Sequence, residues 1–116
     1  MQEIKLPHLA PIKFAVATLE KEDKKAKVLL EFPQLPSLAM LVEAAAQSSA
    51  AFRVNDKENA YLVSLKNIKL IQNPTKKTLY AVVSDEHRLD KMRYVGFEIL
   101  EESVLVAQGT LVIAVQ

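Results

Sequence analysis

The 116-residue sequence has no cysteine, which removes a disulfide framework, a thiolate nucleophile and a cysteine-based zinc site together. It has only two histidines, His8 and His87, too few for a histidine-rich metal centre, so no metal is expected. Neither charge sign dominates. Fifteen basic against fourteen acidic side chains give a formal charge of +1, which leaves no global field to draw nucleic acid or an anionic membrane surface. A long uninterrupted hydrophobic run is also lacking. The low-charge stretch 32–52 is broken by Pro33, Pro36, Glu43 and the polar Gln47-Ser48-Ser49, and is too short to span a bilayer. The first residues, Met1 to Pro7, show no basic segment followed by an apolar run, so no secretory signal is read and the cytoplasm is the expected location. What is present is half hydrophobic and a quarter charged, the balance of a globular chain. One domain over residues 1–116 is expected, with enough chain for one core and some apolar surface left for a partner subunit.

Pro7 and Pro11 flank His8, so residues 1–11 read as an extended arm. Residues 12–19 and 26–32 read as two strands joined by the charged bridge 20–25, the pattern of a hairpin. Pro33 and Pro36 end the second strand, and Ser37 is placed to cap a helix. Residues 38–52 are good helix formers, apolar on almost every side, and predict a buried helix whose alanines let a sheet approach closely. A polar turn at 55–59 follows. Four more β-type runs, 61–71, 78–86, 92–100 and 104–115, are separated by short polar breaks at 72–75, 88–91 and 101–103. Breaks this short exclude parallel crossovers, so antiparallel pairing is expected. In the last run Leu105, Ala107, Gly109, Leu111, Ile113 and Val115 share one face. Val104, Val106 and Val112 lie with Gln108 and Thr110 on the other, so both faces are largely apolar.

Two strands, a helix and four strands, together with Glu31-Phe32-Pro33-Gln34-Leu35-Pro36 and Glu43-Ala44-Ala45-Ala46-Gln47, resemble the hotdog superfamily of 3-hydroxyacyl-carrier-protein dehydratases and acyl-CoA thioesterases. The dehydratase pattern reads His-Phe-Pro-x-x-Pro, then Pro-Gly, then a helix with Glu-Ala-x-Ala-Gln. Phe32, Pro33 and Pro36 match its first half, and Glu43, Ala44, Ala46 and Gln47 its second. Glu31 stands where the catalytic histidine belongs, and the Pro-Gly is missing through a two-residue gap. The resemblance implies an α+β fold: an antiparallel sheet of about six strands wrapped around one long buried helix. It further implies an acyl-CoA or acyl-carrier-protein thioester as ligand, no cofactor, and a homodimer or dimer of dimers.

Within that resemblance Glu43, the one carboxylate in an apolar helix, is the candidate catalytic residue; the alternative is a structural carboxylate that caps a backbone group or faces a subunit interface. Gln47, one turn on, shares its face and is placed to orient the carboxylate or bind a carbonyl. Pro36, Leu38 and Met40 are the candidate substrate contacts at the helix N-terminus, where free N–H groups and the dipole favour a carbonyl oxygen. Glu31 is the second candidate acid, across a dimer interface from Glu43; alternatively it points to solvent, since a slip of one strand position turns it away. Ser48 has no base beside it and reads as a packed hydroxyl. His87 reads as a solvated loop residue, and His8, between two prolines, as surface or, alternatively, as folding over a pocket. Lys76 and Lys77 form a basic turn, read either as solvated or as facing the phosphates of a coenzyme A or phosphopantetheine arm. The leading functional expectation is an acyl-thioester-binding protein of the thioesterase kind, with Glu43 as its acid. A non-catalytic binding module is second, and a dehydratase, lacking its histidine, third.

Overall fold

Seven strands lie in one sheet of the computed structural model, which describes residues 2–3, 13–52 and 60–115. His8, Pro7, Pro11, Ile12 and the turn expected at 55–59 lie outside the described residues. In chain order the elements are β1 (Gln2–Glu3), β2 (Ala15–Lys21), β3 (Lys25–Glu31), α1 (Leu38–Ser48), β4 (Ala60–Leu70), β5 (Thr78–Leu89), β6 (Met92–Glu101) and β7 (Val104–Val115). The sheet order is β1-β2-β3-β5-β6-β7-β4, and every neighbouring pair is antiparallel. The α+β architecture expected from the sequence is therefore present: six long strands and one helix, with the two-residue β1 added at one edge.

Period-two alternation decides which side of the sheet takes the helix. Ala26, Val28 and Leu30 of β3, Leu79, Ala81 and Val83 of β5, and Val95, Phe97 and Ile99 of β6 are buried against Leu41, Ala44 and Ala45 of α1. Full burial of each such Leu, Ile or Val side chain contributes about 1.5–3 kcal/mol. The helix alanines at 44 and 45 are fully buried, so the close approach expected of them is realised. Residues between the buried ones, Lys25, Lys27, Leu29 and Glu31 on β3, turn to the outer face.

Ser37 caps α1 as expected: its backbone is extended and its Oγ accepts the Met40 N–H at 3.2 Å. The helix is shorter than the sequence predicts. Its last turn, Ser49–Phe52, is a 3-10 turn rather than α-helix. The polar Gln47-Ser48-Ser49 patch explains the change, because Ser48 Oγ donates to the Ala44 carbonyl (2.8 Å) and Ser49 Oγ to the Ala46 carbonyl (2.6 Å). Those hydroxyls compete for carbonyls in the final turn and tighten it.

Two further corrections concern strands. β5 runs to Leu89, not to residue 86, and only Asp90 and Lys91 form the turn, with Asp90 at φ 56°. A bulge between Asp85 and His87 absorbs one residue of this charged segment, and Arg88 Nε and Nη2 bind Asp85 Oδ2 at 3.1 and 2.8 Å. His87 is thus an exposed strand residue, its ring 5.6 Å from that of Tyr94, and not a loop residue. On β7, Val106 joins Ala107 in the core instead of lying with Gln108, because a register shift between Ile99 and Leu100 turns it inward.

β4 is an edge strand that α1 does not cover. Leu62 and Leu65 pair with Ile113 and Leu111, which are buried, yet remain 42% and 45% exposed. No described helix is long and apolar enough to cross a membrane.

Candidate functional site

Gln47 projects from α1 toward the start of β2 and takes up two backbone N–H groups there. Its Oε1 accepts the N–H of Phe14 at 2.8 Å and of Ala15 at 3.1 Å. Because only the amide oxygen can accept those two donors, the amide nitrogen is forced to face the other way. It donates to Glu43 Oε1, one helical turn earlier, at 3.2 Å. Gln47 is almost fully buried and Glu43 half-buried, so the pair forms a short polar line from the interior of the sheet to the edge of the helix. The amide N–H makes Glu43 Oε1 an acceptor and fixes the orientation of the carboxyl group.

The wall beside this pair is aromatic. Phe14 and Phe32 stack with ring centroids 4.9 Å apart, and the Glu31 N–H donates to the Phe14 carbonyl at 2.9 Å, joining the start of β2 to the end of β3. At the helix N-terminus Pro36 is buried, Leu38 and Met40 are half-buried against the core, and Ala39 is exposed. The first N–H groups of the helix have no carbonyl within the helix to reach, apart from the one that Ser37 takes. Pro36, Leu38, Met40 and the Glu43–Gln47 pair therefore belong to one helix and its entry. Ser48 is fully buried and bonded to its own helix, as read from the sequence.

Glu31 lies elsewhere in the chain. Its neighbours Leu30 and Phe32 are buried on the helix side, and the alternation of β3 places Glu31 on the outer face, exposed. Within one chain it does not join Glu43. Among the described residues, no three His, Asp or Glu side chains gather into a group able to hold a metal ion.

A second polar arrangement closes the loop between β4 and β5. Glu101 accepts the N–H groups of Thr75 (2.7 Å) and Lys76 (2.9 Å) and the Thr75 hydroxyl (2.8 Å). The Thr75 backbone and hydroxyl, and then the Lys76 N–H, hold the Glu101 carboxyl below the usual carboxylate range. Lys76 pairs with Glu102, which raises the Lys76 ammonium above its ordinary value. Neither this clamp nor the link from Gln47 to β2 is legible in the sequence. The partners are separated by 25 or more residues and no local pattern announces them.

No sequence-family model and no curated protein sequence matches the chain. Solved structures do. A Helicobacter felis protein matches with a TM-score of 0.76 at 19% identity, over 97% of this chain and 85% of that one. A hypothetical thioesterase of Streptococcus pneumoniae, crystallised with coenzyme A, matches with a TM-score of 0.69 at 13% identity, over 85% of this chain and 84% of that one. The dehydratase domain of the CurJ module of curacin polyketide synthase matches with a TM-score of 0.72 at 13% identity, over 90% of this chain and 42% of that one. Thioesterase-like and dehydratase structures thus share one architecture with this chain, and the protein has the hotdog fold.

Proposed function

We propose that the protein binds acyl thioesters, carried by coenzyme A or by a carrier protein, and hydrolyses them with Glu43 as the group that activates water. The observation that carries this reading is the fixed orientation of Glu43: Gln47, locked by two backbone N–H groups, holds one carboxylate oxygen as an acceptor at the edge of the helix. A carboxylate held in this way accepts a proton from water as the oxygen attacks the thioester carbon, and returns it to the departing thiolate as the C–S bond breaks. The helix N-terminus at Leu38–Met40 is suited to the oxyanion, and Pro36, Leu38 and Met40 supply apolar contact for the chain. The thioesterase crystallised with coenzyme A among the similar structures is in keeping with this class of ligand.

The functional unit in this reading is a homodimer, or a dimer of dimers. Strand β4 presents a long unpaired edge with apolar side chains exposed on it, a surface that folded chains commonly cover. A second reading, a non-catalytic module that binds an acyl ligand or a protein partner, is favoured by one observation: Glu31, at the position of the dehydratase histidine, points to the outer face. Dehydration ranks below both, because the histidine that serves as its base is absent.

Turnover of a panel of acyl-CoA esters by wild type, Glu43→Gln and Glu31→Gln separates the readings. Thioesterase action predicts hydrolysis that falls by about a hundredfold or more in Glu43→Gln. Binding without turnover in the wild type leaves the module reading, and loss of activity only in Glu31→Gln overturns the role given to Glu43.

A further inference from the structure

The loop between β4 and β5 carries two adjacent lysines that the structure makes unequal. Lys76 is committed: its ammonium pairs with Glu102. Lys77 is exposed, and its side chain has no ion pair among the described residues. The backbone pairing also places Lys77. Glu31 pairs with Thr78 in the β3–β5 ladder, and the Phe32 N–H donates to the Lys77 carbonyl at 2.9 Å, so the register continues one step with Phe32 opposite Lys77. Residues directly opposite on antiparallel strands share a face. Phe32 is buried on the helix side of the sheet, so Lys77 projects from that same side, at the sheet end where Pro33 to Ser37 lead into the helix.

The loop is also held in place. Three donors from Thr75 and Lys76 converge on the Glu101 carboxylate, and Pro74 is buried. A flexible turn would lose ordering entropy on catching a ligand, and this one is already ordered.

Resting on the thioester reading above, we infer that Lys77 is the anion anchor of the site, holding a phosphate of the thioester's carrier arm beside the helix N-terminus. The phosphate belongs either to coenzyme A or to the phosphopantetheine of a carrier protein; the chemistry that Lys77 meets is the same. Lys76 has no part in it, because its charge is neutralised by Glu102. Glu101 acts as a positioning residue, keeping the loop in the shape that presents Lys77.

The test is calorimetric binding of S-octanoyl-coenzyme A, S-octanoyl-phosphopantetheine and S-octanoyl-pantetheine to wild type, Lys77→Gln and Lys76→Gln. Lys77→Gln is expected to weaken the two phosphorylated thioesters by about three- to fivefold, the range of an exposed charge contact, and to leave S-octanoyl-pantetheine unchanged. Lys76→Gln is expected to bind all three as wild type does. A larger loss for the coenzyme A ester than for the phosphopantetheine ester identifies a phosphate of the coenzyme A nucleotide, and equal losses place the contact at the phosphopantetheine phosphate that both carriers bear. Thioester binding that ignores the phosphate, or equal weakening by the two lysine variants, overturns the inference and leaves the thioester reading standing. Failure of the wild type to bind any of the three overturns both.

Discussion

Gln47 donates to Glu43 across 3.2 Å because its other amide atom is already taken by the N–H groups of Phe14 and Ala15. One side chain thus ties the helix to the first long strand and fixes the direction of the candidate catalytic carboxylate. Gln47→Ala leaves two N–H groups without that acceptor, at a cost of about 1–3 kcal/mol for each one that stays buried. Gln47→Glu keeps an acceptor for them but sets a second carboxylate against Glu43, which raises the proton affinity of the pair. Its deficit should therefore shrink on acidification, since a raised folded-state pKa adds stability below it and loses it above. Urea denaturation of both variants at about pH 5 and about pH 7 checks this, with the Gln47→Ala deficit the less dependent on pH of the two.

Glu101 predicts the opposite dependence. Hydrogen bonds from Thr75, backbone first and then hydroxyl, depress its folded pKa, so its contribution is present above the unfolded value and is lost as pH falls through the folded one. Glu101→Gln should be less stable than wild type near neutrality, and the gap should close below about pH 4. Thermal melts of the two proteins across this range measure it. A gap that stays constant with pH would mean that the carboxylate charge contributes nothing to the clamp.

The two glycines should respond differently to a methyl group. At Gly109 an added Cβ would meet Ile68 Cδ1 at 2.3 Å, Phe97 Cε2 at 3.0 Å and the Ile68 Cα at 3.2 Å. Backbone and a buried ring cannot both retreat, so Gly109→Ala should cost about 1–3 kcal/mol. At Gly96 the atoms in the way are those of the Glu86 carboxyl, the end of an exposed and flexible side chain. Gly96→Ala should therefore cost less than half as much by the same denaturation measurement.

Much of the fold is legible because period-two alternation in 26–32, 78–83 and 95–99 matches the buried faces, and because an apolar, alanine-rich run between a serine cap and a polar patch has one natural structure. The departures have local causes. Asp85, His87 and Arg88 look like a turn by composition, but a bulge and an ion pair keep them in β5, and the serines that mark the end of the α-helix also convert its last turn to 3-10 geometry. The pairing of Glu43 with Gln47 follows from their spacing of one helical turn. The anchor of Gln47 at the start of β2, 32 and 33 residues away, and the pairing of Lys77 with Phe32 and of Lys76 with Glu102 depend on tertiary contacts that no local pattern encodes.

The exposed edge of the sheet carries the last prediction. Leu65 pairs with the fully buried Leu111 and lies on the helix side of the sheet, but it is 45% exposed, at the edge of the sheet beyond the strands that α1 mainly packs against. Exposed Leu62 and Leu70 extend the same edge. A chain that functions alone would leave these leucines in water, whereas a second copy pairing along β4 would cover them. Sedimentation velocity at micromolar concentration should then give twice the chain mass for wild type and the single-chain mass for Leu65→Lys. The substitution itself should change the stability of the isolated chain by less than about 1 kcal/mol, since the lysine stem lies along the sheet while its ammonium reaches water. Equal masses for the two proteins would remove β4 as the dimer edge. A large loss of folding in Leu65→Lys at concentrations where the wild type is already a single chain would show that Leu65 belongs to the core of one chain and not to an interface.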